Sequence, residues 1–217
     1  WNLKTESELR CVVTENETMQ LQLIEGNAEI FGVEMALNRD YSFTDESFAV
    51  FTWYGCKLEM TGSCQSSYVS SETPMVSYVN THVQLEAKRD VALANSENGP
   101  RIMVVGRTDS GKSTISRILA SYAVRLDRNP IYVDTDVGQG SVTVPGALCA
   151  VPLDKSCLSV EEGFSLSTPL VYYFGHTSPR DHIELYKHFV TILAERVAQR
   201  LEKDSDARAA GLVVNTC

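Results

Sequence analysis

The chemistry of this chain concentrates in Gly106-Arg107-Thr108-Asp109-Ser110-Gly111-Lys112-Ser113. Two glycines, then lysine and a hydroxyl residue, between an apolar run and an amphipathic one, are the parts of a phosphate-binding P-loop. Gly106 and Gly111 let the backbone curl close to an anion, and the N–H groups across Thr108, Asp109 and Ser110 turn inward as a nest. A helix starting near Lys112 and Thr114 adds unpaired N–H groups and the positive end of its dipole. Lys112 reaches the outer phosphates as a point charge, and the Ser113 hydroxyl is placed to ligate magnesium. These residues imply a bound nucleoside triphosphate. A second constellation follows at Asp134-Thr135-Asp136-Val137-Gly138-Gln139-Gly140. Residues two apart on a strand share a face, so Asp134 and Asp136 project together, with Asp136 nearer the phosphates. A carboxylate there can hold magnesium through waters or accept a proton from an attacking hydroxyl, and spacing alone does not choose.

The elements that must position these residues alternate from Arg101 onward. Ile102–Val105, Ile131–Thr135, Leu170–Phe174 and Leu212–Asn215 read as strands. Ile115, Ile118, Leu119, Tyr122 and Leu126 form one helical stripe. Ser178-Pro179 opens a second helix, with Leu185, Phe189, Ile192, Leu193, Val197 and Leu201 on its buried side. Strand–helix alternation predicts an α/β fold with a P-loop NTPase-type parallel sheet, whose ligands sit at the strand C-termini. Residues 1 to 71 instead show short strands at Leu9–Val13, Gln20–Ile24, Glu29–Phe31, Ser47–Trp53, Lys57–Met60 and Tyr68–Ser70, split by turns. That pattern predicts a small all-β, sandwich-like N-terminal domain, with Phe48, Phe51, Trp53 and Tyr54 read as core. Thr73-Pro74 caps a helix with Met75, Val79 and Val83 at four-residue steps, and the polar stretch 95–100 reads as a boundary. The expected domains are 1–98, the β domain plus its connecting helix, and 99–217, the P-loop domain.

Charge is uneven along the 217 residues: 1–98 hold 6 Lys+Arg against 15 Asp+Glu, whereas 99–217 hold 13 of each. The acidic half is a poor general surface for nucleic acid, because phosphate contacts need positive charge. No apolar run approaches the roughly 20 residues that span a bilayer, so no membrane partner is expected. The six cysteines, at 11, 56, 64, 149, 157 and 217, show no zinc spacing and are expected to be reduced. The chain opens on Trp1 and ends in an apolar run that reads as a strand cut short, so a piece of a longer protein is expected.

Taken together, Val104-Val105-Gly106, Gly111-Lys112-Ser113-Thr114, Asp136-Val137-Gly138-Gln139-Gly140-Ser141 and Val144-Pro145-Gly146 resemble the Clp family of polyribonucleotide 5′-hydroxyl kinases. The resemblance continues in Ala28-Glu29-Ile30-Phe31-Gly32, Phe51-Thr52-Trp53, Glu161-Glu162-Gly163-Phe164, Phe174-Gly175 and Val214-Asn215-Thr216-Cys217. It implies transfer of the ATP γ-phosphate to the 5′-hydroxyl of RNA with magnesium. Lys112 and Ser113 then match the phosphate and metal positions, Asp136 the general base, and Gln139 a substrate-orienting position. Glu8 matches a contact to adenine, and Gly175 and Thr177 lie where the acceptor RNA would pass. The resemblance also implies a nuclear protein that works with the cleavage and polyadenylation factor and the tRNA splicing endonuclease. In that family a clasp just after the position of Cys217 and a later arginine-bearing lid complete the site, so a chain ending at Cys217 is expected to transfer little phosphate. Two other readings remain open: a scaffold that holds ATP and acts through protein partners, and an NTP hydrolase. A GTPase would carry an Asp-x-x-Gly switch and an Asn-Lys-x-Asp reader, and neither motif occurs here.

Overall fold

Residues 19, 21 and 23 are apolar and 18, 20 and 22 polar, and in the computed structural model Met19, Leu21 and Leu23 are fully buried. The structure describes residues 1–140, 142–164 and 168–217. This alternation builds one sheet from β1 (Asn2–Leu3), β3 (Met19–Gly26), β6 (Asp40–Phe43) and β8 (Cys56–Gly62), ordered β1-β8-β3-β6. A second sheet holds β2 (Ser7–Val13), β4 (Glu29–Ile30), β5 (Val33–Glu34), β7 (Glu46–Thr52) and β9 (Ser66–Ser70), ordered β5-β4-β7-β2-β9. Phe43 from the first sheet stacks on Phe48 from the second with centroids 4.0 Å apart. Phe48 and Phe51 are core as expected, but Tyr54 is 83% exposed.

The remaining elements are α1 (Met75–Asn95), β10 (Arg101–Val104), α2 (Lys112–Arg125), β11 (Ile131–Asp134), β12 (Ala147–Pro152), the short hairpin β13 (Leu158–Ser159) and β14 (Gly163–Phe164), β15 (Leu170–Tyr173), α3 (Ile183–Lys203), α4 (Ser205–Ala210) and β16 (Leu212–Asn215). The chain forms two compact units: residues 1–77 with 159–163, and residues 78–158 with 164–217. From Tyr78 onward α1 therefore groups with the second unit. Among the described residues no helix is long and apolar enough to cross a membrane.

The second unit's sheet runs β10-β16-β11-β12-β15. It is mixed rather than wholly parallel. β10, β16 and β11 are parallel, but β12 is antiparallel to both β11 and β15. The sequence pattern gives no alternation at Ala147–Pro152, because five of its six residues are buried. Among the described residues no helix lies between β11 and β12, and a parallel return needs a crossover, usually a helix. Ile118, Leu119 and Tyr122 of α2 are buried as expected, whereas Leu126 is exposed at the helix end. On α3, Leu193, Val197 and Leu201 are buried against Ile131, Val133 and Leu148. Each such aliphatic side chain contributes about 1.5–3 kcal/mol.

On α1 the buried face differs from the expected one. Met75 is buried, but Val83 is 56% exposed, and the line that turns inward is His82, Glu86, Arg89 and Ala92. Steps of exactly four residues drift around a helix, whereas alternating steps of four and three stay on one face. Arg89 is wholly buried: its Nη1 donates to Glu86 Oε1 at 2.5 Å and its Nε to the Ala210 carbonyl at 2.9 Å. Arg128 adds a hydrogen bond to Glu86 Oε2 at 2.9 Å and one to Asp90. Burial lowers the Arg89 pKa, partly offset by Glu86, while hydrogen bonding to Glu86 raises that of the more open Arg128.

His82, 4.0 Å from Glu86, is held below its ordinary pKa of 6.5, chiefly by burial. The folded protein therefore binds fewer protons at this site than the unfolded chain, and stability is lost as pH falls through the unfolded value. His82→Gln is expected to flatten the acid side of the stability profile between about pH 7 and about pH 5. Urea midpoints measured across that range check this.

The stretch 95–100 is tied down at Gly99, whose N–H bonds the Arg208 carbonyl, and at Pro100, whose carbonyl accepts from Leu212. Gly211 has φ +76, and a Cβ there would stand 2.0 Å from the Pro100 oxygen. Gly211→Ala is expected to cost more than about 1 kcal/mol, because both φ and space are incompatible with a side chain. The shift in denaturation midpoint measures it.

Candidate functional site

The loop after β10 leads into α2 through Gly111, which caps the helix in a left-handed conformation, φ 81, with no side-chain cap. The position where a Cβ would stand on Gly111 has no atom within 4 Å. The first N–H groups of a helix have no acceptor within it, the condition for an anion to bind there. Within the loop, the Arg107 carbonyl accepts from the Ser110 hydroxyl at 2.7 Å, the Ser110 N–H at 3.3 Å and the Lys112 ammonium at 2.8 Å. Gly106, Thr108 and Asp109 are exposed along the same loop, and Thr114 sits in the first turn of α2, half-buried.

Ser113 faces the end of β16. Its Oγ accepts from Asn215 Nδ2 at 3.2 Å, and the same Nδ2 donates to Asp134 Oδ1 at 3.1 Å. Asp134 is the last residue of β11, so Asp136 lies just beyond the strand, in the following turn. Asp134 Oδ1 also accepts the Asp136 N–H at 3.0 Å, so backbone geometry rather than strand pleat brings the two aspartates together. Asp136 itself accepts from the N–H groups of Gly138 at 2.9 Å and Gln139 at 3.1 Å, both on Oδ1. Oδ1 of Asp136 thus shapes the turn.

Thr177 joins this turn: a Cβ on Gly138 would stand 3.0 Å from its carbonyl oxygen. Gly175 is held next to the same segment through Gly146, whose carbonyl accepts its N–H and whose own N–H bonds Val137. The Gln139 side chain is exposed at the turn, and Ser141 lies outside the described residues. Glu8 stands apart in the first unit. Its carboxylate is buried there, Oε1 accepting from Arg10 Nε at 2.5 Å and Oε2 from the Thr73 hydroxyl at 2.8 Å.

Three contributors escaped the sequence reading. Asn215 is one; its place at a strand C-terminus beside the P-loop was the available signal. Thr135 is another, its N–H and hydroxyl both bonding the Asn215 carbonyl at 3.0 and 2.8 Å. Tyr186 on α3 donates to the Thr135 carbonyl at 2.9 Å, and burial pushes its phenol up to about 12.

The donor set fits a phosphorylated ligand and a hard cation. An uncapped helix start, an ammonium and a nest suit phosphate oxygens. Ser113, Asp134 and Asp136 supply the oxygen atoms magnesium prefers. Among the described residues no group of three or more His, Cys, Asp or Glu could hold a metal ion. A trough of about 440 Å³ lies between α3 and the β10–β16 face, lined by Met103, Val133, Leu193, Val197 and Val214. Its walls are mostly aliphatic and suit no phosphate; the polar chemistry is gathered at the strand ends instead.

Fold and site together define a P-loop α/β protein preceded by a β-sandwich. The family described as mRNA cleavage and polyadenylation factor CLP1 P-loop matches residues 106–217, and the N-terminal beta-sandwich domain of polyadenylation factor matches 2–92. The chain belongs to the CLP1 family. It is 48% identical over its whole length to the polyribonucleotide 5′-hydroxyl-kinase Clp1 of Bos taurus and 47% identical to that of Homo sapiens, covering 51% of each. The chain thus spans about half the length of these relatives. A solved wild-type Clp1p–Pcf11p complex superposes with TM-score 0.91 at 26% identity, over 100% of this chain and 53% of the other.

Proposed function

We propose that the full-length protein is an ATP-dependent RNA 5′-hydroxyl kinase. The observation that carries this reading is the carboxylate of Asp136, anchored through Oδ1 by the Gly138 and Gln139 N–H groups, in the turn that follows Asp134, which Asn215 links to the P-loop Ser113. A hydrolase needs only water at such a site. A kinase needs a base within reach of an acceptor hydroxyl, and in this reading Asp136 is that base and the acceptor approaches the turn at Gly138 and Thr177.

In this reading the 106–111 backbone and the start of α2 bind the ATP phosphates, and Lys112 exchanges the Arg107 carbonyl for a phosphate oxygen. Ser113, Asp134 and Asp136 would hold magnesium, which would neutralise charge on the outer phosphates. Asp136 Oδ2 takes the proton as the RNA 5′ oxygen bonds to the γ-phosphorus and the bond to ADP breaks. Gln139, Gly175 and Thr177 line the acceptor side. The Glu8 carboxylate accepts from Arg10 and Thr73 and keeps further lone pairs for an adenine amino group. The nucleus, with roles in mRNA 3′-end processing and tRNA splicing, is the setting this activity fits.

A scaffold role is favoured by one separate finding, that the related Clp1p was solved with Pcf11p. The two roles are compatible. Radiolabelled ATP and a 5′-hydroxyl oligoribonucleotide distinguish them: transfer by the full-length protein supports the kinase, whereas ATP binding without transfer leaves only the scaffold.

A further inference from the structure

Asn215 is wholly buried at the last position of β16, between the two strands that carry the site. In register it pairs with Val104 at the end of β10 and with Asp134 at the end of β11. A carboxamide has two N–H donors and one acceptor, and here Nδ2 serves two oxygens at once, Asp134 Oδ1 and Ser113 Oγ. The Asn215 carbonyl is committed as well, to both the N–H and the hydroxyl of Thr135. The group is therefore fixed from its backbone outward and has little freedom to turn its side chain elsewhere.

We propose that Asn215 is a positioning residue, which holds the Ser113 hydroxyl and the Asp134 carboxylate in one arrangement and thereby sets how strongly a divalent cation tightens ATP binding. The proposal rests on the reading of this site as a magnesium–ATP site. Its physical content is that of an outer-shell hydrogen bond. Ser113 Oγ lies 3.2 Å from Asn215 Nδ2, from which it accepts, and 3.4 Å from Asn215 Oδ1, to which it can donate, so Asn215 fixes the hydroxyl's orientation and which lone pair remains to face a cation. By donating to Asp134 it also neutralises part of a buried negative charge that would otherwise rearrange.

The test titrates ATP by calorimetry into the full-length protein, with and without Mg2+. Asn215→Ala is expected to weaken the Mg2+-dependent tightening by about 10- to 100-fold, the range for outer-shell partners of metal ligands. Metal-free ATP binding should stay close to wild type. In a Ser113→Ala background the same change should cost much less, because its effect runs through the serine. Equal losses with and without Mg2+, additive losses in the double variant, or wild-type behaviour would each overturn the proposal. If Asn215→Ala does not fold, Asn215→Ser, which keeps one donor, is judged by the same criteria and should give an intermediate loss. A wild-type protein that binds no nucleotide would instead remove the ATP-site reading itself. Wild-type Mg2+–ATP binding that Asn215→Ala leaves unchanged would remove only the role of Asn215.

Discussion

Asp136→Asn in the full-length protein should lower kcat by about 10²- to 10⁴-fold, the usual contribution of a general base, with ATP affinity near wild type. The choice of asparagine matters. Asp136 Oδ1 accepts the Gly138 and Gln139 N–H groups, and an amide oxygen can keep both bonds. The turn then survives while the other oxygen becomes an N–H donor that cannot take a proton. Asp136→Ala removes turn and base together and should also disturb the acceptor side around Thr177. Steady-state phosphorylation of a 5′-hydroxyl oligonucleotide, with ATP binding measured in parallel, separates the two variants. Equal kcat in wild type and Asp136→Asn would mean that this carboxylate only shapes the loop.

The second large effect concerns the fold. Glu86→Ala strips Arg89 Nη1 and Arg128 Nε of their acceptor and leaves a guanidinium buried without its counter-charge. Breaking one side of a buried ion pair costs about 3–5 kcal/mol, because the remaining charge cannot recover its hydration. Arg89 would retain only its bond to the Ala210 carbonyl, and its Nη2 is already buried without a hydrogen-bond partner among the described residues. The loss should appear as faster hydrogen exchange of α2 and α4 amides, since the network lies in the second unit. By contrast, Lys57→Ala, which removes an exposed pair with Glu25, should leave exchange there unchanged. Intact α2 protection in Glu86→Ala would show that the network contributes little net stability.

How far the sequence was legible depended on the range of each interaction. The P-loop could be read because its parts lie within eight residues and each has a distinct chemical signature. The sandwich could be read because its strands bury alternate residues. β12 could not, since strands buried on both faces carry no alternation, and the connection before it gave no helix to mark a crossover. The inner face of α1 was misread because it is charged. Hydrophobic spacing points to valines, whereas the residues that turn inward are His82, Glu86 and Arg89. Arg89 finds one partner 121 positions away. Asn215 reaches Asp134 across 81 positions and Ser113 across 102, so its function has no local spacing to betray it.

The convergence of three donors on the Arg107 carbonyl bears on selectivity. Lys112 already has an acceptor inside its own loop, so engaging a ligand is an exchange of partners. The free energy gained from the lysine is the difference between a phosphate oxygen and a peptide oxygen, and that difference grows with the charge on the incoming group. An uncharged nucleoside offers nothing better than Arg107 does. A triphosphate does, because charge-assisted hydrogen bonds are roughly twice as strong as neutral ones. The loop thus acts as a threshold detector for anionic charge, with its own peptide group as the reference competitor.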